Sequence, residues 1–188
     1  AVIELGPLRE ADAMVLLCRL VDPDRLKAEP DNVHQLLDFC GGLPVALRAV
    51  ADELVLRPHW RISSLLSRLV DPEHRAAWLN SCGAAPRRTV EDRLRLLPPA
   101  EREVILRLGG RLPRQVTIAE CAAQTGADFS LASATLEACA ELRMAEVVEH
   151  PDPHQRAGRA FRFAPVIMTA IASIGATGDT SEVGSRRS

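Results

Sequence analysis

The chain has 188 residues, a length that allows one or two small domains. Hydrophobic residues make up 47% of it but aromatic residues only 3%, so its cores must consist mainly of leucine, valine and alanine, which favours helices. The net charge of −2 excludes a general attraction to nucleic acid or to an acidic membrane surface.

The first half of the chain is predicted to be a short strand followed by a helical domain. Residues 1–6 form a stretch of alternating apolar and polar residues that ends at a glycine-proline pair. We interpret them as the last strand of a larger domain. Residues 7–84 are predicted to form a small helical bundle, because apolar residues recur there at helical spacing between breaks such as Asp22-Pro23-Asp24. Its helices are predicted at residues 8–21, 30–39, 43–56, 62–69 and 71–79.

The second half is predicted to be a winged-helix domain over residues 85–172, so that the fold is mainly α. A break of small residues at 81–86 precedes it, and three helices followed by a two-stranded hairpin is the order of a winged helix. A tail over residues 173–188, rich in Gly, Thr, Ser and charges, is predicted to be disordered. The helices are predicted at residues 90–97, 100–108, 117–124, 130–142 and 165–172, and the strands at 144–149 and 159–163.

The cysteines and histidines give no strong indication of a chemical site. The five cysteines are odd in number and form no C-x-x-C pair, which suits a reducing cytoplasm. His150 and His154 flank Asp152 in a proline-rich loop, a ligand set that zinc accepts. A mobile wing tip is the favoured interpretation, because the prolines break any helical register and no cysteine is near. We predict no metal site and no catalytic residue, and a chain with no signal peptide and no membrane-spanning segment.

The most distinctive stretch joins two predicted helices. A helical pattern ends at Cys40, and Gly41 and Gly42 follow it, where glycine supplies the left-handed cap that other residues resist. Pro44, after Leu43, suits the first turn of the next helix, where no backbone N–H is needed. The pattern predicts a tight joint with exposed backbone, able to hold a flat ligand or a neighbouring domain.

The residues at this joint resemble a known signature. Gly42-Leu43-Pro44 and the small and aliphatic residues after it are similar to the "GLPL" motif of the NB-ARC group of STAND signalling ATPases. Other phrases typical of actinobacterial members follow the same order, in a series spanning residues 2 to about 170: Glu4-Leu5-Gly6-Pro7-Leu8, Glu10-Ala11-Asp12-Ala13, Arg57-Pro58-His59-Trp60 and Leu97-Pro98-Pro99-Ala100. The resemblance implies an ARC1-like helical domain followed by a winged-helix, ARC2-like domain of a bacterial transcriptional regulator.

The resemblance also implies a nucleotide contact that depends on a part absent from this chain. In that family the proline of the motif packs against the adenine of ADP or ATP, which assigns Gly42, Leu43 and Pro44 to adenine contact. A P-loop needs G-x-x-x-x-G-K-[ST], but the only lysine, Lys27, lies between Leu26 and Ala28. We therefore expect this chain alone to hold no cofactor and not to be an enzyme, and ADP or ATP with Mg²⁺ is implied for the parent protein.

One position departs from the family pattern. The family's winged helix usually ends in an apolar-His-Asp signature whose histidine touches the β-phosphate of ADP. The matching place here is Phe163-Ala164-Pro165, and the side chain of alanine can neither donate nor accept a hydrogen bond. We expect that ADP is not locked by this route, so the parent either holds nucleotide weakly or is tuned toward an active state.

The function implied by the resemblance is that of a lever. The helical domain would pack on the nucleotide-binding core of the same protein, and the winged helix would swing as the nucleotide changes, with self-association on activation as a further partner interaction. Two alternatives stay open: a winged-helix DNA-binding module, and a protein-interaction adaptor that never meets nucleotide, which the loss of the histidine at Ala164 favours.

The predicted recognition helix, residues 130–143, argues against DNA as a partner. It offers serine, threonine and two glutamates, with one arginine, Arg143, at its C-terminal end, where base readout favours Arg, Lys, Asn or Gln on the outer face. The wing carries Arg156, Arg159 and Arg162, for which we expect a solvated face or pairing with Glu146 and Glu149.

Overall fold

The computed structural model describes residues 7–81, 85–109, 114–149 and 159–183, without the side chains of residues 72, 81 and 177–183. The predicted strand at residues 1–6 and the predicted wing tip at 150–158 lie outside these ranges. The chain divides into two compact units, residues 1–88 and 89–188, whereas the sequence predicts a boundary after residue 84. The predicted fold class is confirmed, because helices dominate and a small antiparallel sheet occurs in the second unit.

Four of the six helices described in the first unit begin with proline. Its helices are α1 Glu10–Leu20, α2 Pro23–Ala28, α3 Pro30–Cys40, α4 Pro44–Leu56, α5 Ile62–Val70 and α6 Pro72–Ser81. The prediction missed α2 because it took Asp22-Pro23-Asp24 for a break. The Asp22 side chain instead accepts a hydrogen bond from the Asp24 N–H at 2.9 Å, and Pro23 occupies the first helical turn.

The core of the first unit is aliphatic, as its composition predicts. Helix α1 packs on α4 and helix α3 on α5, each through a stripe of buried apolar residues. Phe39 and Trp78 add an edge-to-face contact, with ring centroids 5.6 Å apart. Fully buried leucines fill the centre of this unit: Leu17, Leu36, Leu43, Leu47, Leu54 and Leu65.

The second unit has the helix and strand order of a winged helix, with one strand more than the sequence predicts. The elements, beginning with a helix that starts before the unit boundary, are α7 Ala85–Leu96, α8 Pro99–Gly109, β1 Gln115–Thr117, α9 Ile118–Thr125, α10 Phe129–Glu141, β2 Ala145–Glu149, β3 Arg159–Phe163 and α11 Pro165–Val183. Strand β3 is central and pairs antiparallel with both β1 and β2, so the predicted hairpin is a three-stranded sheet.

Helix α10 begins one residue before the start at residue 130 that the sequence predicts. The helix starts at Phe129, because the Asp128 carboxylate accepts a hydrogen bond from the Leu131 N–H at 2.8 Å. Helix α9 begins with a complete capping box between Thr117 and Glu120. These two caps determine where α9 and α10, the predicted recognition helix, begin.

The last helix corrects the predicted disordered tail. Helix α11 continues to Val183, past residue 173, and residues 184–188 lie outside the described part. Helix α11 packs closely on α8, since a Cβ on Gly109 would lie 2.6 Å from the Ile171 Cγ2 and one on Gly175 3.4 Å from the Leu106 carbonyl oxygen. Composition alone indicates a polar tail, but this contact supports the helix beyond residue 172.

Candidate functional site

The joint between α3 and α4 has the backbone geometry that its glycines and proline predict. Gly41 adopts the left-handed conformation (φ 57°, ψ 36°), and its N–H donates to the carbonyl oxygen of Leu37 at 3.0 Å. Gly42 also has a positive φ of 67°. Leu43 is the N-cap residue of α4, and Pro44 begins the helix. Two consecutive left-handed residues explain why glycine occupies both positions.

Gly42 also lies against the segment that leads into α1. Its carbonyl oxygen accepts a hydrogen bond from the Leu8 N–H at 2.7 Å. A Cβ on Gly42 would overlap the Leu8 carbonyl oxygen and lie 3.0 Å from the Leu8 nitrogen. The backbone just after residues 1–6 is therefore attached directly to the joint, and only glycine leaves room for this approach.

The joint combines a buried anchor with an exposed proline. Leu43 is 1% exposed and fixes the start of α4 in the core of the first unit, whereas Pro44 is exposed and the two glycines are half-buried. The joint carries no charged side chain. The adjacent Cys40 is fully buried, and desolvation raises the pKa of its thiol well above the ordinary value, so it is not a nucleophile. This surface can make apolar and backbone contacts to a flat group but performs no chemistry by itself.

The second predicted position, Phe163-Ala164-Pro165, is apolar throughout. Phe163 is fully buried at the end of β3, and its N–H donates to the Arg114 carbonyl oxygen at 3.0 Å. Ala164 links β3 to α11, its carbonyl oxygen accepts hydrogen bonds from the Ile167 and Met168 N–H groups, and Pro165 opens the helix. No side chain among these three residues offers a polar atom to a phosphate. The joint and this position belong to different units.

The arginines of the predicted wing are paired with carboxylates where the structure describes them. Arg162 Nη2 lies 2.6 Å from Glu146 Oε2 across β3 and β2, as predicted. Arg159 Nη1 lies 3.2 Å from Glu137 Oε1 on α10, although Glu149, a predicted partner, is its cross-strand neighbour in the sheet. Arg156 lies outside the described residues. These pairs neutralise the cations that a phosphate backbone would need.

A second polar arrangement escaped the sequence analysis: Arg25 and Glu29 hold the two ends of the loop between α4 and α5. The guanidinium of Arg25 donates hydrogen bonds to the carbonyl oxygens of Leu54 at 2.8 Å, Arg57 at 3.4 Å and Trp60 at 2.8 Å. A cation at the carbonyl end of α4 is also favoured by the helix dipole. We call Arg25, Glu29 and the loop residues 57–61 that they hold the α4–α5 clamp.

Glu29 holds the other end of the clamp by capping α5. Its carboxylate accepts hydrogen bonds from the Ile62 N–H at 3.0 Å and the Ser63 N–H at 3.1 Å, and Asn32 Nδ2 donates to it at 2.9 Å. Desolvation raises the pKa of Glu29, but the hydrogen bonds from Ser63, Ile62 and Asn32 together outweigh it and hold the pKa below its ordinary value. No local sequence signal marks this cap, because the capping residue lies 33 positions before Ile62.

The replacement Glu29→Ala is expected to destabilise the first unit by about 1–2 kcal/mol, the usual effect of losing a helix cap. Because the folded-state pKa is lowered, the contribution is complete above the ordinary pKa of glutamate and is lost as the pH falls through the lower folded value. Urea unfolding at neutral and at acidic pH measures the difference. Glu73→Ala, which removes an exposed carboxylate of α6, is the control, and an equal loss of stability in both variants would contradict the assignment.

Two cysteines of the second unit are buried, and the described metal-ligating side chains form no cluster. Cys121 and Cys139 are buried free thiols, and desolvation raises the pKa of both, that of Cys139 to about 12. Within the ranges that the structure describes, no group of three or more His, Cys, Asp or Glu side chains is placed to hold a metal ion. His150, Asp152 and His154 lie outside those ranges. None of the described helices is both long and apolar enough to cross a membrane.

The chain is similar to part of two curated bacterial regulatory proteins. It is 28% identical over 144 residues to the regulatory protein AfsR of Streptomyces griseus, a match that covers 77% of this chain and 15% of that protein. It is 27% identical over 121 residues to AfsR of Streptomyces coelicolor (strain ATCC BAA-471 / A3(2) / M145), covering 64% of this chain and 12% of that protein. The chain thus corresponds to a small part of these regulators. No family model matches it.

Proposed function

We propose that this chain is the regulatory lever of a STAND-type, NB-ARC-like ATPase that controls transcription. The helical unit would lie against a P-loop core of the same protein, and the winged-helix unit would pass the ADP or ATP state of that core to an effector. The observation that carries the proposal is the α3–α4 joint, where Pro44 is exposed beside two half-buried left-handed glycines. The similarity to regulatory proteins several times longer than this chain supports a role as one part of a larger regulator.

The backbone hydrogen bond between Leu8 and Gly42 would connect the segment that leaves the core to the α3–α4 joint. The segment that would leave the core is hydrogen-bonded to Gly42, next to the proline that would cover the adenine. A displacement of that segment on nucleotide exchange would move the joint with it, since the 2.7 Å hydrogen bond and the close backbone contact restrict movement of Leu8 relative to Gly42. Couplings of this kind are typically worth about 1–3 kcal/mol between two sites.

Calorimetric titration with ADP and ATP, in the presence of Mg²⁺, tests the proposal on the full-length parent protein and on this chain alone. We expect binding by the parent only. Pro44→Ala in the parent removes about two buried methylene groups from the adenine contact, worth about 1–1.5 kcal/mol, and is expected to weaken binding about tenfold. The control is Pro30→Ala, which changes another exposed proline in the first turn of a helix of the same unit.

The outcome of this titration also decides between the lever and the adaptor. Absence of nucleotide binding by the parent would contradict the lever and favour a protein-interaction adaptor. The apolar stretch Phe163-Ala164-Pro165 supports that second candidate, because it has no polar side chain to bind a β-phosphate. Equal affinities of the Pro44→Ala and Pro30→Ala variants would remove the adenine assignment even if the parent binds nucleotide.

DNA binding is the weaker alternative for the winged-helix unit. Glu137 of α10 and Glu146 of β2 neutralise the described arginines of β3, and the exposed positions of α10 include Ser130, Ala134 and Glu141. Nonspecific DNA affinity depends mainly on cations that replace the counterions of phosphate. An effector domain elsewhere in the parent is therefore the proposed carrier of any DNA contact.

A further inference from the structure

The first unit contains a surface groove that is lined by the α4–α5 clamp and lies away from the α3–α4 joint. Its volume is about 220 Å³, and its walls include Arg25, Glu29, Pro58, His59, Trp60 and Arg61. The groove lies at the carboxyl end of α4, whereas Pro44 lies at the amino end, 12 residues away along a helix that rises about 1.5 Å per residue. We call it the Trp60 groove.

The walls of the Trp60 groove are held in place before any ligand arrives. Arg25 fixes the loop through the carbonyl oxygens of Arg57 and Trp60, and Glu29 fixes the start of α5 at Ile62. Binding to a surface that is already ordered avoids the entropy cost of ordering side chains and loops on association. The groove is thus a preorganised surface feature and not a gap between mobile loops.

The groove carries an excess of positive charge. Its walls carry two arginines, Arg25 and Arg61, against the single carboxylate of Glu29, and Arg25 is held by carbonyl oxygens and not by a carboxylate. Arg61 in the wall and Arg68, which stacks on the wall residue Trp60, form no ion pair in the described part of the chain, whereas Arg57 is paired with Glu53. Residues 1–88 contain 11 Lys and Arg against 12 Asp and Glu, so this excess is local and does not follow from the charge of the unit.

An indole ring lies within this positive region. Trp60 is half-exposed, and the guanidinium carbons of Arg57 and Arg68 lie 4.6 and 4.9 Å from its ring centroid. Cation–π contacts hold both arginines at the ring, and Arg68, which forms no ion pair in the described part of the chain, keeps its N–H donors available to a ligand. A partly exposed indole with guanidinium groups stacked over its ring is complementary to a ligand that combines carboxylates with an apolar side chain.

Charge and extent favour a peptide over a nucleic acid. A single strand of nucleic acid requires a basic track that follows several phosphates. The positive region here is short, because Asp22 and Asp24 lie on the neighbouring start of α2 and Glu53 borders it on α4. A short acidic segment needs only two or three guanidinium partners, with one apolar residue against the indole.

We propose that the Trp60 groove docks an acidic polypeptide segment of a partner protein. The carboxylates of the segment bind Arg61 and Arg68, and an apolar side chain of the segment packs on Trp60. This site is independent of nucleotide, so it stands even if the proposed lever fails. It gives the helical unit a second surface, separated from the joint by the length of α4.

The protein contains its own reporter for this site. The chain has two tryptophans, and Trp78 is 8% exposed against Phe39, so Trp60 is the one open to a quencher. In a Trp78→Phe variant the fluorescence comes from Trp60 alone. A short synthetic peptide of glutamate and leucine is titrated while tryptophan emission and acrylamide quenching are recorded. We expect saturable protection of Trp60 that weakens at high salt.

Charge reversal identifies the residues that bind. Arg61→Glu and Arg68→Glu are each expected to weaken peptide binding about tenfold, since each removes a close charge pair and adds repulsion. Arg48→Glu, the same reversal at an exposed arginine of α4, is expected to leave the affinity within about twofold, because Arg48 neither lines the groove nor stacks on Trp60. Circular dichroism of each variant checks that the fold is retained.

Three outcomes would overturn the proposal. The first is that the peptide has no saturable effect on the fluorescence of Trp60. The second is that Arg48→Glu weakens binding as much as Arg61→Glu and Arg68→Glu do. The third is that a thymidine oligonucleotide binds more tightly than the peptide. The last result would assign the groove to single-stranded nucleic acid instead.

Discussion

Replacing Gly42 by alanine is expected to lower the free energy of unfolding of the first unit by about 2–5 kcal/mol. The left-handed backbone costs a residue with a Cβ about 1–2 kcal/mol. The added methyl group would also overlap the Leu8 carbonyl oxygen, and forcing an atom into a packed site costs about 1–3 kcal/mol. Urea unfolding followed by tryptophan fluorescence measures the loss, because both tryptophans lie in residues 1–88.

Gly126→Ala separates the two causes of this loss. Gly126 has a similar positive φ of 72°, but a Cβ there would meet no heavy atom within 4 Å. The variant therefore bears only the backbone cost of about 1–2 kcal/mol, in the second unit. Hydrogen exchange of the amides around each glycine gives the local comparison. Equal losses in the two variants would show that the approach of Leu8 to the joint contributes nothing to stability.

Replacing Phe161 by alanine is expected to destabilise the winged-helix unit by about 3–5 kcal/mol, the range for deleting a buried aromatic side chain. Phe161 is fully buried in the central strand β3, opposite Val116 of β1 and Val147 of β2. Its removal leaves a cavity where the three strands meet. Far-ultraviolet circular dichroism during urea unfolding, with hydrogen exchange of residues 159–163, measures the effect.

Val147→Ala is the matched control for Phe161→Ala. Val147 is the cross-strand neighbour of Phe161 but is 49% exposed, so its truncation removes little buried surface. We expect a loss below about 1 kcal/mol, in line with surface substitutions and single cross-strand contacts. A larger loss in the Val147 variant than in the Phe161 variant would mean that β3 is not the centre of this core.

The helix ends at the α3–α4 joint were predictable because their causes are local. A glycine that can adopt a positive φ ends α3, and a proline that needs no N–H begins α4, whatever surrounds them. The same local rules failed at Asp22-Pro23-Asp24, where the proline begins a helix and does not break one. Proline has both roles, and the choice depends on whether the following residues find a core to pack on, which Leu26 does.

Strand β1 and the long helix α11 were not predictable by local rules. Three residues, Gln115–Thr117, are too few to show a strand pattern, and they become a strand because β3 offers them a pairing edge. Past residue 172, helix α11 still lies against α8, where Gly175 faces the Leu106 carbonyl oxygen. In both cases the segment that the element packs against is distant in sequence, so composition and periodicity cannot predict the contact.

The sequence by itself determined the classes of secondary-structure element and the absence of a P-loop motif from this chain. Aliphatic, aromatic-poor composition predicts helices, glycine and proline predict the α3–α4 joint, and a single lysine outside a glycine-rich loop excludes a P-loop. These inferences rest on properties that each residue carries with it. Only the tertiary structure decided which side chains meet: Arg25 reaches Trp60 across 35 positions, and Glu29 caps a helix 33 positions away. Such contacts form only when folding brings distant segments together, because the energy of a hydrogen bond depends on distance and direction in space and not on separation along the chain.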